Sequence, residues 1–396
     1  MNKNALLTLL LLGGLVTIAP PRCFAATARV ASAQVAPSQT LPLQTMPPQT
    51  LPPQTALLLA QAAQTDDDRL NDLIRQGREL VDAGKIPEAI AIYQQASVLA
   101  PDNARVFSAI GFLQAKQQDY QAAVDAYEQA IKLDDRNADF YYALGYSKAN
   151  LNDNAGAADA YRKATQIKPD YVEAFLGLGI VLSRQEDYAG AIAAYKQVLA
   201  RRPNDARIYE SIGTAYIQQE RYPEALEALQ RAVQLAPRQG SAFLNLGVAF
   251  LNSGNVPDGM AALQKAAALE PRNGLIFLQL GDIYKAQGNE EDALVQYRRA
   301  VSVQPSLKEA HMALGELYLE QKDVLAIVVF RQLITLAPDD PDAHYDLGLA
   351  LRMRDRNDEA KMAFEQARTL YAQSNNEEGV KKVEDALAAL PPNNRP

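Results

Sequence analysis

Residues 273–305 read NGLIFLQLGDIYKAQGNEEDALVQYRRAVSVQP, and this stretch contains the pattern that decides the fold. Apolar side chains recur at helical spacing around Gly281 and again after it, which favours two amphipathic helices. Gly281 and Ala293 are small, so they mark two places where helices can approach each other closely. Pro305 stands where the second helix should stop, because proline lacks the backbone N–H that a helix interior needs.

The chain repeats this pattern nine times. Glycine recurs in seven steps of 34 residues and one step of 33: Gly77, Gly111, Gly145, Gly179, Gly213, Gly247, Gly281, Gly315 and Gly348. A second small residue follows each glycine after twelve positions, or eleven in repeat eight: Ala89, Ala123, Ala157, Ala191, Ala225, Gly259, Ala293, Ala326 and Ala360. Such helix pairs cannot bury their apolar faces alone, so we expect them to stack into a right-handed superhelix with a concave side.

The residues that recur are illustrated by repeat seven, which has Phe277, Leu280-Gly281, Tyr284, Ala293, Tyr297, Ala300 and Pro305. This pattern resembles the tetratricopeptide repeat (TPR) family over residues 70 to about 372. The resemblance implies an all-α fold, a TPR α-solenoid of nine helix-turn-helix repeats. Repeat eight departs from the pattern by losing one residue between Tyr318 and Ala326, which predicts a different tilt of its helix pair.

The two ends of the repeat array are also predicted. Thr65, followed by three aspartates, has the character of a helix N-cap, so we place the nine repeats at residues 65–372. Residues 373–396 are expected to form a C-terminal capping helix and tail, with one apolar face. That face consists of Val380, Val383, Leu387 and Leu390.

Residues 1–25 have the pattern of a secretory signal peptide. Lys3 precedes a 15-residue apolar run, and Ala25 stands at a plausible cleavage point. Because a spanning helix needs about 20 apolar residues, an uncleaved anchor is the alternative interpretation. We expect the mature chain to be exported, soluble, and located in a periplasm or thylakoid lumen.

Residues 26–64 are rich in Pro, Gln, Ala and Thr and include the repeats LPLQT, MPPQT and LPPQT. Proline removes backbone donors and favours extended polyproline II, so this segment is predicted to be a stiff disordered linker. A proline-recognition segment is the functional alternative.

The composition of the chain narrows the range of functions that it can have. The chain has 39 Lys and Arg against 47 Asp and Glu, a net charge of −8, which argues against a nucleic-acid partner. Cys23, the one cysteine, lies in the predicted leader, so no thiol is expected in the folded part. No nucleophile has a recognisable base beside it, and we expect neither an enzyme nor a cofactor.

The two histidines, His311 and His344, occupy the large-residue framework position four residues before the glycine of repeats eight and nine. We interpret them as half-buried core residues. The alternative is that they share a divalent ion near Asp342 and Asp346.

In the TPR family the inner surface comes from the first helix of each repeat, and helical periodicity gives the residues that share it. Seven apolar residues at these positions form a predicted peptide-binding strip: Phe112, Tyr142, Tyr146, Leu176, Ile180, Leu244 and Val248. The alternative is that helix stacking simply buries them.

Repeats seven to nine instead place acids on this surface: Asp282, Glu309, Glu316, Glu320, Asp342 and Asp346. This set predicts an acidic groove for a basic segment or a hard divalent cation, because carboxylate oxygens suit both. A solvated face without a ligand is the alternative.

The sequence therefore predicts a scaffold or assembly factor that binds a protein or peptide client. An exported, acidic, nine-repeat chain also resembles the processing-associated TPR proteins of cyanobacterial photosystem II assembly. That resemblance implies a periplasmic binder of a reaction-centre subunit and of manganese, hence a metal carrier peripheral to a membrane complex. A TPR arm of an envelope or secretion machine is the third interpretation.

Overall fold

The computed structural model describes residues 53–391, with side chains from residue 66 onward. All regular elements in this part of the chain are α-helices, and it contains no strand. The predicted leader and the linker up to residue 52 lie outside the described residues. The helices are α1 (Pro53–Asp82), α2 (Ile86–Leu99), α3 (Ala104–Lys116), α4 (Tyr120–Leu133), α5 (Ala138–Asn150), α6 (Asn154–Ile167), α7 (Val172–Arg184), α8 (Tyr188–Leu199), α9 (Ala206–Gln218), α10 (Tyr222–Leu235), α11 (Gly240–Asn252), α12 (Val256–Leu269), α13 (Gly274–Ala286), α14 (Glu290–Val303), α15 (Lys308–Glu320), α16 (Leu325–Leu336), α17 (Pro341–Arg352), α18 (Asn357–Gln373) and α19 (Glu377–Ala388).

The helices form nine consecutive pairs. The odd-numbered helices α1 to α17 are the first helices of the repeats, and the even-numbered helices α2 to α18 are the second. The two helices of a pair pack against each other, and successive pairs stack, as α6 does on α7. The predicted fold class, an all-α TPR solenoid of stacked helix pairs, is confirmed.

Two compact units divide the described chain: an N-terminal unit that ends at Ile208 and a C-terminal unit that begins at Tyr209. The N-terminal unit has apolar clusters such as that around Tyr93 and Ile110. In the C-terminal unit a continuous core extends from Leu244 to Ala386.

Turns within the helix pairs share one backbone feature, a residue with positive φ just after the first helix. These residues are Gly84, Gln118, Asn152, Glu186, Glu220, Gly254, Gly288, Lys322 and Asp355. In repeat two the next residue closes the turn, because the backbone N–H of Asp119 donates to the carbonyl of Gln114 at 3.0 Å. Asp119 then caps α4 by accepting from the backbone N–H of Ala122 at 3.1 Å.

The recurring glycines lie at helix–helix contacts, as predicted. A Cβ built on Gly281 would lie 2.4 Å from the Tyr297 ring, and one on Gly348 would lie 2.5 Å from the Phe364 ring. Real Cβ atoms cannot approach a ring so closely. Glycine is therefore required here for helix packing.

Tyr161 in the N-terminal unit packs against two glycines, one on each neighbouring first helix. A Cβ on Gly145 would lie 2.9 Å from its ring, and a Cβ on Gly177 would lie 2.6 Å from its Cζ. The ring is fully buried between α5 and α7. Gly177 and Gly179 thus serve packing inside a helix, as the helical pattern of the sequence suggests.

The first helix begins earlier than predicted. Helix α1 starts at Pro53 and not at Thr65, so residues 53–64 are helical and not part of an extended linker. The physical reason is composition, since the stretch ALLLAQAA that follows Thr55 consists of strong helix formers and contains no proline.

The predicted capping helix corresponds to α19. Val383 on this helix is fully buried. Val380, Leu387 and Leu390 are half-buried and pack against the core of the C-terminal unit. None of the helices described combines the length and the apolar character that crossing a membrane requires.

Candidate functional site

The predicted apolar strip is largely buried inside each unit. Five of its members are buried: Tyr142 (4% exposed), Tyr146 (9%), Ile180 (6%), Leu244 (8%) and Val248 (3%). Phe112 and Leu176 are half-buried. The low exposure of these five side chains agrees with the alternative interpretation, in which the stacking of helices buries the strip. Their role in binding a client stays a prediction.

Other tyrosines pack against two members of the strip in the N-terminal unit, Tyr142 and Tyr146. The ring of Tyr142 packs against Tyr161 and Tyr171, with ring centroids 5.8 Å and 5.1 Å away. The ring of Tyr146 meets Tyr120 edge-on at 6.2 Å. These contacts leave little aromatic surface free for a ligand.

Carboxylates on three consecutive first helices of the C-terminal unit influence one another electrostatically. We define the acidic cluster as Asp282 on α13, Glu316 and Glu320 on α15, and Asp342 and Asp346 on α17. The charges of its members act on one another: Glu316 acts on Asp282 and Asp346, and Glu320 and Asp342 act on Glu316. Glu316, Glu320 and Asp342 are exposed, whereas Asp282 and Asp346 are half-buried.

Glu309 was predicted to join these acids, but no described contact links it to the cluster. It precedes Glu316 by seven residues, which is about 10 Å along a helix. The two side chains therefore share a side of α15 but lie at different heights.

Two tyrosines and two lysines contact the cluster. The hydroxyl of Tyr297 donates to Asp282 Oδ1 at 2.8 Å, and the Lys285 ammonium lies 3.0 Å from Glu320 Oε1. The second tyrosine and lysine act at Asp342: the Tyr371 hydroxyl donates to Asp342 Oδ1, and Lys382 Nζ on α19 lies 4.0 Å from the same atom. Lys382 also stands 4.0 Å from the centroid of the Tyr345 ring, a cation–π contact.

Burial raises the pKa of the deeper carboxylates. The pKa of Asp346 rises to about 7, because of burial first and then the negative charges of Glu316, Asp342 and Asp340, while Lys382 opposes the rise. The pKa of Asp282 rises to about 6 for the same first reason, although Tyr297 and Lys285 oppose it.

Glu316 is exposed to solvent, yet its pKa is also raised. The first cause is burial by the protein atoms around it, and Glu320 and Asp342 add to the effect. These facts are compatible because a side chain can touch water on one side while protein surrounds the others. A carboxylate in this position attracts cations more strongly than one on an open surface.

Models of the tetratricopeptide repeat match residues 108–172, 176–240, 211–274 and 325–363. A second model, described as TPR repeat, matches residues 77–118 and 281–322. The first model alone covers more than half of the 396 residues. The chain belongs to the tetratricopeptide repeat family.

Among similar proteins, a TPR repeat-containing protein of Picosynechococcus sp. (strain PCC 7002) is 43% identical over 65 residues, which are 16% of this chain and 17% of that one. The match thus spans about a sixth of the relative's length. A solved tetratricopeptide repeat protein from Parabacteroides merdae ATCC 43184 is 18% identical, with a TM-score of 0.47, over 63% of this chain and 98% of that one. YrrB, described as a TPR protein with an unusual peptide-binding site, is 24% identical, with a TM-score of 0.40, over 48% of this chain and 98% of that one.

The two histidines of this TPR protein make the same local contact. His311 Nε2 lies 3.0 Å from the carbonyl of Pro305, and His344 Nε2 lies 2.9 Å from the carbonyl of Pro338. Since a carbonyl only accepts, each Nε2 carries the proton and donates. His311 is buried and His344 is half-buried. Within residues 66–391 no group of three or more His, Cys, Asp or Glu is arranged to hold a metal ion.

Sequence reasoning missed a buried carboxylate in repeat five of the TPR array. Glu210 is 8% exposed and accepts hydrogen bonds from Asn245 Nδ2 at 2.9 Å and from Gln239 Nε2. Burial raises its pKa, and the charge of Glu270 adds to the rise. The signal in the sequence was its place three residues before the framework glycine, where the other eight repeats have no charged residue.

Proposed function

We propose that this TPR protein is a non-catalytic scaffold that holds a basic segment of a client protein on its acidic cluster. The observation that carries the proposal is that acids on consecutive first helices already hold cations in the C-terminal unit: the Lys285 ammonium lies 3.0 Å from Glu320 Oε1, and Lys382 Nζ lies 4.0 Å from Asp342 Oδ1. Membership of the TPR family supports an interaction scaffold with protein partners as the class of function.

The cluster has the features that a site for Lys or Arg needs. Glu316, Glu320 and Asp342 are exposed, so a ligand can reach them. Charge-assisted hydrogen bonds to such groups are stronger than neutral ones. Lys382 and Tyr345 already show that an ammonium group fits between a carboxylate and an aromatic ring at this end of the unit.

The apolar strip supports a client site less well, because its members are mostly buried. Phe112 and Leu176 retain some exposure and offer only a small apolar contact. We therefore propose that the charges of the acidic cluster select the client, and that the apolar strip serves the stacking of helices.

The test is calorimetric titration of the mature protein with a Lys-rich peptide, with a Glu-rich peptide of equal length as the ligand control. We expect the Lys-rich peptide to bind and Glu316→Lys or Glu320→Lys to weaken it by about tenfold or more, since each inserts a like charge. Glu227→Lys is the matched control variant, because Glu227 is exposed on α10 and outside the cluster. Equal losses in all three variants, or binding abolished by Phe112→Ser alone, would contradict the proposal.

We also propose that the scaffold acts on the exported side of a membrane, supported by the signal-like residues 1–25. Compartment fractionation with mass spectrometry of the N-terminus checks this, and retention of Met1 on a protein in the cytoplasm would refute it.

Manganese delivery to a photosystem II subunit and a place in a secretion machine stay predictions. Titration with manganese against competing calcium, and affinity capture from the native compartment, test them.

A further inference from the structure

We propose that three second helices of the C-terminal unit, α14, α16 and α18, bind a second copy of this chain, with α14 of one copy antiparallel to α14 of the other. The centre of this surface is an apolar ridge, which we define as Val295 on α14, Val328 on α16 and Met362 on α18. The acidic cluster lies on first helices and shares no residue with the ridge. The proposal therefore does not depend on the proposed client.

The three side chains of the ridge occupy the same place in three successive repeats. Each follows the framework glycine by fourteen residues, or by thirteen in repeat eight. They are 53%, 49% and 63% exposed in chain order. The other six repeats have alanine or an acid at this place: Ala91, Asp125, Asp159, Ala193, Glu227 and Ala261. Helix packing therefore does not require a large apolar side chain here, and three in succession indicate a contact surface.

Repeat eight adds two apolar side chains beside the ridge. Val324 and Leu325 lie about one turn before Val328 and are 52% and 38% exposed. Arg331 on α16 lies 2.9 Å from Glu359 Oε2 on α18, so these neighbouring second helices are within side-chain reach of each other. An exposed apolar surface with charged residues at its rim is typical of a protein interaction site.

The charges around Val295 indicate which partner fits. Glu291 and Asp292 precede it by four and three residues. Arg298 and Arg299 follow it by three and four residues, so all four charges lie on its side of α14. All four are exposed, and within residues 66–391 none of them forms an ion pair. Ion pairs do form beside the other two members of the ridge.

Each arginine of α14 rests on an aromatic ring. The Cζ atom of Arg298 lies 5.4 Å from the centroid of the Tyr318 ring, and that of Arg299 lies 4.1 Å from the centroid of the Phe277 ring. Arg298 also donates from Nε to the Tyr318 hydroxyl at 2.5 Å. A guanidinium has five N–H donors, so donors remain on both side chains for the carboxylates of a partner.

An antiparallel copy of α14 matches both ends of this charge pattern. Glu291 and Arg299 lie about 6 Å to either side of Val295 along the helix. A two-fold axis through Val295 therefore places Glu291 of each copy opposite Arg299 of the other, and Asp292 opposite Arg298. A partner of one charge sign would meet repulsion at one end, and a parallel copy would place like charges together.

Sedimentation velocity of the full chain over a range of concentrations measures the association. We expect a monomer–dimer equilibrium that shifts toward monomer as salt is added. Val328→Glu should raise the dissociation constant of the dimer by about tenfold or more. Repeats two, three and five carry an acid at this place, so the variant should fold. Val98→Glu is the matched control, because Val98 is 83% exposed on α2, outside the ridge, and it should dimerise like the wild type.

An exchange of charges tests the antiparallel orientation. Glu291→Arg and Arg299→Glu should each weaken the dimer, because like charges then face each other across the axis. An equimolar mixture of the two variants should form a heterodimer, since every arginine then faces a glutamate. A wild type that stays monomeric at about 1 mM would overturn the proposal and leave the ridge to a different protein. Normal dimerisation of Val328→Glu, an equal loss in Val98→Glu, or a mixture without heterodimer would also overturn it.

Discussion

At the scale of single residues, one tyrosine position has different consequences in different repeats. Tyr297 donates its hydroxyl to Asp282, the residue that follows the framework glycine of repeat seven. Tyr127 and Tyr161 occupy the equivalent position in repeats two and three, where that following residue is aromatic. Both hydroxyls are buried and have no hydrogen-bond partner within the described part of the chain.

This contrast predicts opposite effects for the same substitution. Tyr161→Phe should raise the free energy of unfolding by about 1 kcal/mol, because it removes a buried hydroxyl that makes no hydrogen bond. Tyr297→Phe should lower it by a similar amount, because Asp282 loses its donor. Urea unfolding of the two variants measures both changes. Destabilisation by both variants to the same extent would show that Tyr161 has a partner after all.

At the scale of helices, the absence of a side chain at each framework glycine lets the two helices of a pair approach closely. The helix pairs and their contact glycines could be predicted from the period of 34 residues. A small residue at the same place in every repeat indicates that two helices approach closely there in every repeat. The start of α1 was not predictable in the same way. It depends on a local run of helix formers that lies before the first repeat.

Gly281→Ala tests this packing. Its Cβ would lie 2.4 Å from the Tyr297 ring, which is held between α13 and α14 and has little room to move. We expect a loss of about 1 to 3 kcal/mol in the free energy of unfolding, typical of overpacked contacts. Thermal or urea unfolding measures the loss, and Ser302→Ala on the exposed side of α14 is the control. A loss no larger than that of Ser302→Ala would refute the contact.

At the scale of the whole molecule, charge is distributed unevenly along a chain with a net charge of −8. Helical periodicity assigns six acids to the groove, because it states which residues share a side of a helix; five of them belong to the acidic cluster, and their role in binding stays a prediction. It could not show which residues of the next repeat pack against those side chains. The burial of Tyr142 and the network around Glu210 depend on neighbouring helices, and a single repeat does not contain that information.

The affinity for a basic ligand should depend on pH and salt together. Protons compete with cations at Asp282 and Asp346, whose pKa values are about 6 and about 7, so acidification weakens binding. We expect the affinity of a Lys-rich peptide to fall by at least about tenfold from pH 8 to pH 5, by linkage. It should also fall with ionic strength, because salt screens the exposed members. Calorimetry at each pH measures this, and an affinity that rises on acidification would contradict it.

The enclosure of Tyr161 between two glycines has a practical consequence for spectroscopy. The chain has 18 tyrosines and no tryptophan, so its near-ultraviolet absorption and emission come mainly from phenol rings. A ring fixed between α5 and α7 gives a circular dichroism signal in that region only while the two backbones stay in contact. The loss of that signal, compared with the far-ultraviolet signal of the helices, would report whether neighbouring repeats separate before the helices themselves unwind.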